Sequence, residues 1–261
     1  MHKIYDEIGN GYDTTRKADP FILSQFKSLL NIESNKKYLD VACGTGNYTS
    51  EISKIGGSWN AFDQSDVMLS EAINKSKVVK WSKFDVEKTD FESNLFNGIM
   101  CSLAIHHFPN LSNAFREMSR ILKSTGKIVL FTATPEQMYS YWLNEYFPDM
   151  MKKSCEQMPT LDSISSAIKP HGLSIESTVP FFIEPELQDF FLYSGKQRPE
   201  IYLVQSVRDG ISSFRNLCAE KELDQGLSKL QSDIESGAID EVIKKYENKI
   251  GDYLFVVLSK S

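Results

Sequence analysis

The stretch Lys37-Tyr-Leu-Asp-Val-Ala-Cys-Gly44-Thr-Gly46-Asn47 limits the choice of fold more than any other part of the chain. Its first residues suit a short buried strand, the glycines break that strand, and a helical pattern starts at Asn47. Further candidate strands lie at Ser58 to Phe62, Val78 to Phe84, Gly98 to Leu103 and Lys127 to Thr132. Between them run helical patterns, clearest where Leu111, Ala114, Phe115, Met118, Ile121 and Leu122 recur at steps of three and four. That spacing makes one buried helix face. Strands alternating with helices predict an α/β fold whose parallel sheet is covered on both sides.

The flanks extend the pattern. Phe21, Ile22, Phe26, Leu29 and Leu30 place an apolar stripe on a helix over Pro20 to Ile32. Pro135 to Met158, rich in large aromatics, is predicted to be helical, and a helix over Leu161 to Ile168 stops at Lys169-Pro-His-Gly172. Strands are predicted at Ser174 to Ile183 and at Tyr253 to Leu258. The roughly 65 residues between these two strands carry helical spacings at Leu227, Leu230 and Ile234 and again at Ile239, Val242, Ile243 and Tyr246. A structureless connection of that length is rare in a compact domain, so a helical insertion packed over the sheet is expected.

Composition narrows the function classes. With 41% hydrophobic and 25% charged residues in 261, the chain is globular in character. It opens on Met1-His2-Lys3 and has no run of about 18 apolar residues, so a cytoplasmic protein without a membrane segment is expected. Its 29 basic and 35 acidic residues give a net charge of -6 with no basic run, which disfavours a phosphate backbone as partner. Cys43, Cys101, Cys155 and Cys218 are too scattered for a zinc ligand set, and no metal is expected.

Chemistry concentrates at the strand ends. Gly44 and Gly46 allow a turn to pass close to a ligand, and the helix behind it offers unpaired N–H groups. Asp63 follows 17 residues after Gly46, at the end of the next strand, where a carboxylate can accept both hydroxyls of a ribose. The same residue can instead cap the following helix, a role also open to Ser65 and Asp66. A dinucleotide fingerprint needs a third glycine at position 49, and Thr49 stands there.

In these features the chain resembles the class I S-adenosylmethionine (SAM)-dependent methyltransferases, in particular the small-molecule branch similar to the ubiquinone/menaquinone methyltransferases. The resemblance implies a doubly wound, mostly parallel Rossmann-like sheet with a helical insertion before the last strand, and SAM as cofactor. Asp40, Ala42, Gly44 and Gly46 match the family's first motif, with alanine at 42 where glycine is usual. Asp63, Gln64 and Met68 correspond to the ribose and adenine segment, and Phe84-Asp85-Val86 to the adenine-recognising turn. Cys101-Ser102-Leu103-Ala-Ile-His106-His107-Phe is similar to the fourth motif, followed by a helix and a turn at Lys123-Ser-Thr-Gly126-Lys. Upstream, Tyr5, Tyr12 and Arg16 resemble an N-terminal lid that closes on the cofactor and substrate. Arg16 suits the SAM carboxylate because its planar fork pairs bidentately, although a solvated helix-start arginine is the alternative.

On this reading residues 1–36 form a lid and helix and 37–134 the SAM-binding core. Residues 135–261 then complete the sheet, with substrate-cover insertions at about 135–158 and 186–249. A sulfonium methyl is already activated, so the protein has chiefly to align a small-molecule acceptor for in-line displacement and to exclude water. His106 and His107 are candidate bases, only one of which can face a pocket from a strand end; the alternative is that they shape or fill it. Tyr139, Trp142 and Tyr146 are expected to wall an apolar substrate site. The competing functions are a catalytically inactive SAM- or nucleoside-binding module and an RNA or protein methyltransferase.

Overall fold

A computed structural model describes residues 12–260. Its seven strands are β1 (Lys37–Val41), β2 (Ser58–Asp63), β3 (Lys80–Lys83), β4 (Phe96–Ser102), β5 (Leu122–Thr132), β6 (Leu173–Phe181) and β7 (Tyr253–Lys260). They form one sheet in the order β3-β2-β1-β4-β5-β7-β6. β1 to β5 run parallel, and β7 lies antiparallel between β5 and β6. β1 pairs with both β2 and β4, so the winding direction reverses at β1. In sheets of this kind a crevice opens beyond the carboxyl ends of the strands at that reversal, and the glycine turn after β1 stands in it.

Alternation along the strands divides the core between the two faces of the sheet. Phe255 and Val257 face one cluster with Met100, Val129 and Phe131, which takes in Ile22 and Phe26 of the helix Pro20–Leu30 and the aromatics of the insertion. Leu254, Val256 and Leu258 face the other, with Ala114, Phe115, Met118 and Ile121 of the helix Leu111–Ile121. The stripes read from the sequence therefore bury as expected. Asp19 caps Pro20–Leu30 by accepting from the Phe21 and Ile22 N–H groups, and the helix ends two residues short of Ile32, at Leu30, with Asn31 as its left-handed cap at φ 47°.

Three expectations change. The segment Lys123 to Lys127 is not a turn outside the sheet: Phe96 pairs with Leu122 and Gly98 with Lys127, so the intervening residues bulge within β5. Gly126 permits this, since a Cβ there would stand 2.6 Å from Leu122 Cδ1. Pro135 to Met158 is not one helix but Pro135–Tyr139, a 3-10 turn Trp142–Glu145 and a second helix Pro148–Gln157. A proline can open a helix but not continue one, and Thr134 and Gln137 form a capping box at the first start. Finally, Val78 to Phe84 contracts to the short edge strand β3.

The connection from β6 to β7 contains helices Gln205–Asp209, Ser212–Leu217, Glu220–Ser236 and Ile239–Lys245, the helical insertion that the spacing called for. Its longest helix docks through Gly226, where a Cβ would lie 2.5 Å from the Tyr146 carbonyl oxygen and strike the Phe147 ring. No helix among the described residues is long and apolar enough to cross a membrane. Gly226→Ala should lower stability by about 2 kcal/mol, the scale of overpacking a tight contact, in spite of alanine's better helix propensity. Thermal or urea unfolding checks this, and an unchanged midpoint would mean that the insertion docks elsewhere.

Candidate active site

The glycine turn is built from left-handed backbone. Ala42, Gly44 and Gly46 have φ of 55°, 55° and 71°. That conformation is unfavourable for alanine, so the one departure from glycine carries local strain. The two glycines then do different jobs. A Cβ on Gly44 would meet nothing within 4 Å, because this residue borders an open cavity. A Cβ on Gly46 would stand 2.5 Å from the Trp81 ring and 3.0 Å from Ala72. Gly46 therefore packs the turn onto the next layer and does not line the cavity, contrary to its expected place at the ligand.

Two carboxylates meet the turn from below. Asp63 accepts from Gly44 N–H at 2.9 Å with one oxygen and from Ser65 N–H at 2.9 Å with the other. The helix Asp66–Lys75 is capped by Ser65, which accepts from Met68 N–H, so Asp63 is not its cap. Burial pushes the Asp63 carboxyl above its usual range against the pull of the Ser65, Gly44 and Gln64 N–H groups. Asp40, 3% exposed, accepts the hydroxyl of Thr49, the residue standing where a dinucleotide fingerprint has glycine. Burial raises the Asp40 carboxyl to about 7, with a further push from Asp63.

β4 delivers the third wall. Leu103, with φ 50°, breaks the strand, and Ile105–His107 makes a 3-10 turn. Because residues 106 and 107 are not on a strand, they do not alternate, and both histidines line the cavity. Their rings lie 3.9 Å apart at 49°. Burial holds both neutral: His106 falls well below its ordinary value, helped by the neighbouring imidazole, and His107 falls to about 4. His106 Nδ1 is enclosed without a hydrogen-bond partner.

The cavity gathers Arg16, Asp40, Ala42, Gly44, Asp63, Gln64, Met68, Val86, Ser102, Leu103, His106 and His107 from the expected site. Asp85 is exposed and turned to its own loop, accepting from Glu87 N–H. Tyr139 is 57% exposed, while Trp142 and Tyr146 are buried in the cover, bonded to the Lys196 carbonyl and to Asp233. None of these three walls the cavity: the broken helix leaves Tyr139 on the surface and turns Trp142 and Tyr146 into packing of the insertion. Tyr5 and the side chain of Tyr12 lie outside the described residues. The far wall comes instead from residues that the sequence reading did not single out, among them Met138, Ser154, Met158, Phe191, Leu192, Ile211 and Tyr253. Among the described residues no group of three or more His, Cys, Asp or Glu is placed to hold a metal ion.

Arg16 reaches the cavity but its fork is engaged: Nε donates to Asp189 Oδ1 at 2.5 Å and Nη2 to Oδ2 at 3.3 Å. Asp189, 1% exposed, also accepts from the Tyr48 hydroxyl at 3.1 Å. The arginine is neither solvated nor a loose cover, because removing it would strand a buried carboxylate.

Known proteins resemble this chain in sequence and fold. Residues 39–130 match the model of the Methyltransf_11 methyltransferase domain family. A demethylmenaquinone methyltransferase of Oceanobacillus iheyensis is 24% identical over 217 residues, 77% of this chain and 88% of that one. One from Staphylococcus carnosus is 25% identical over 248 residues, 87% of this chain and 95% of that one. The crystal structure of a protein assigned as a methyltransferase from an antibiotic biosynthesis pathway of Anabaena variabilis superposes with a TM-score of 0.84 at 29% identity, covering 95% of this chain and 99% of that one. The matched domain spans the glycine turn, Asp63 and the β4 motif, and it and the relatives aligned along most of the chain support a class I SAM-dependent methyltransferase resembling the quinone methyltransferases.

Proposed function

We propose that the cavity holds SAM against the ends of β1 and β2 and presents its methyl group, near the end of β4, to a small and largely apolar acceptor under the insertion. The observation that carries this reading is the open space at Gly44 beside a half-buried Asp63 that lines the cavity and is held in place by the Gly44 and Ser65 N–H groups. A ribose diol fits that carboxylate's pair of acceptor oxygens. Gln64, Met68 and Val86 are positioned to border the adenine, Ala42, Ser102 and Leu103 the methionine portion. Residues 37–134 then act as the cofactor core, 1–36 as its lid and first helix, and 135–261 as the rest of the sheet with the substrate cover.

When bound, SAM supplies an activated sulfonium methyl, and the chain's own residues do the rest. Met138, Met158, Phe191, Leu192 and Ile211 exclude water and favour an apolar acceptor, a preference in keeping with relatives named for demethylmenaquinone. Transfer in line with the departing sulfur needs the acceptor held by these walls. His106, neutral and lining the cavity, is the group we assign to take the acceptor's proton, with His107 packed on its ring. The direct test is transfer of labelled methyl from SAM to small molecules of a cell extract. Calorimetry that finds binding of NAD but not of SAM or S-adenosylhomocysteine would defeat the proposal.

Asp63→Ala should weaken SAM binding by about 1–3 kcal/mol, the scale of charged hydrogen bonds left unmade. An unaltered dissociation constant in calorimetry would confine Asp63 to holding the Gly44 turn.

Asp40 makes SAM binding pH dependent. Its folded value of about 7 lies above the unfolded carboxylate range, so in the free protein the ionised form costs stability, increasingly from pH 4 to about 7. A cationic ligand favours that ionised form, and its binding releases a proton. SAM affinity should therefore fall as pH drops through 7, by up to about tenfold at pH 6 relative to pH 8. Titrations at both pH values should show this change in the parent and lose most of it in Asp40→Asn; equal slopes in the two proteins would contradict it.

His106→Gln should slow methyl transfer about 10²–10⁴-fold with SAM affinity nearly constant. Because burial keeps both imidazoles unprotonated, the parent rate should carry no histidine titration between pH 6 and 8, and not the step near 6.5 of an ordinary histidine. Single-turnover rates across pH decide it, and a His106→Gln protein as fast as the parent would leave positioning as the whole mechanism.

A further inference from the structure

Asp189 belongs to the insertion, far along the chain from the glycine turn, and both it and Arg16 lie outside the matched methyltransferase domain at 39–130. Three consecutive residues here are stitched to the segment that precedes the helix Pro20–Leu30. Gln188 N–H donates to Asp19 Oδ2 at 3.0 Å, Asp189 takes the Arg16 fork, and Phe190 N–H donates to the Thr15 carbonyl at 3.0 Å. The next residues, Phe191 and Leu192, line the acceptor end of the cavity.

The same segment is tied at its other end to the cofactor turn. Asp13 accepts from the Thr45 hydroxyl at 2.7 Å and from Asn47 Nδ2 at 2.9 Å, and pairs with Lys75 at 2.5 Å. Asn47 also donates to the Arg16 carbonyl at 2.8 Å. Tyr48, next to it, sends its hydroxyl to Asp189. A second cover segment leans on the strap as well, since a Cβ on Gly210 would collide with the Thr15 hydroxyl, and Ile211 to Ser213 line the cavity. Residues 13–19 thus bridge the cofactor turn and both walls of the acceptor site.

We propose that Asp189 is a positioning residue that fixes Arg16 at the cofactor mouth and makes closure of the acceptor cover contingent on cofactor occupancy. The proposal rests on the reading of the turn as the SAM site. Physically, the strap is a shared element: a ligand that orders the turn and Arg16 also orders segments 187–192 and 210–213, and the acceptor meets a finished wall only after cofactor has bound. A buried carboxylate at the joint makes that transmission depend on a bidentate, charged contact and not on apolar packing alone.

Hydrogen exchange read by mass spectrometry, with and without S-adenosylhomocysteine, tests it on Asp189→Asn, Arg16→Lys and the parent. In the parent the ligand should slow exchange in 43–47, 187–192 and 210–213 together. In Asp189→Asn the slowing should persist at 43–47 and vanish in the two cover segments, with affinity reduced about tenfold. Arg16→Lys keeps the ion pair but not the fork. It should keep the melting temperature near that of the parent while losing most of the cover response, and so reports even if Asp189→Asn does not fold. Cover segments protected in either variant as in the parent would overturn the proposal. No slowing at 43–47 in the parent would instead sink the SAM-site reading, and this inference with it.

Discussion

Everything in this molecule depends on a short run of left-handed backbone after β1. Residues 42, 44 and 46 all take positive φ, which turns the chain tightly from a strand buried at four of its five residues into the helix Asn47–Ile52. The turn opens Gly44 to the cavity, lays Gly46 on Trp81, and brings the Gly44 N–H onto Asp63. One local conformation thus makes the crevice, the packing of the next layer and the orientation of Asp63. Alanine at 42 retains this geometry at the cost of strain, which is consistent with a site where backbone shape outranks stability.

Electrostatics follow from the same burial. Asp40 and Asp63 are close enough to the cavity to act on a cationic ligand and too dry to be comfortable as two anions, so both carboxyls are pushed up. The histidines after β4 respond to the same dryness in the other direction and stay neutral. A cavity lined by both acidic groups and unprotonated imidazoles favours a cation next to an uncharged partner. That is the charge pattern of a sulfonium donor facing a neutral acceptor.

How far the sequence could be read depended on whether a feature was local. Strand positions, the stripe of Leu111–Ile121 and the helical insertion are periodic signals, and the sheet follows them. The turn, Asp63 and the β4 motif are short linear patterns and meet in one cavity. The two histidines escaped correct placement because Leu103 takes a left-handed conformation that no composition signals, replacing strand alternation by a 3-10 turn. Tyr139, Trp142 and Tyr146 misled for a different reason: the first helix ends at Tyr139 and a 3-10 turn follows, so nothing aims the three together, and aromatic density marked the burial of Trp142 and Tyr146 in the cover. Asp189, Phe191 and Leu192 reach the site only through long-range packing, and one acidic residue in an apolar run carries no signal of its partner.

The position of β7 has a consequence for how the protein is made. It is buried along most of its length and fills the slot between β5 and β6, with which it pairs antiparallel on both sides. Until it arrives, β5 presents an unpaired edge, β6 has no partner strand, and the insertion has five of the seven strands to rest on. The strand that closes this gap is synthesised after every residue of the insertion. Completion of the sheet must therefore wait until the insertion has been synthesised, and until then the β5 edge stays bare.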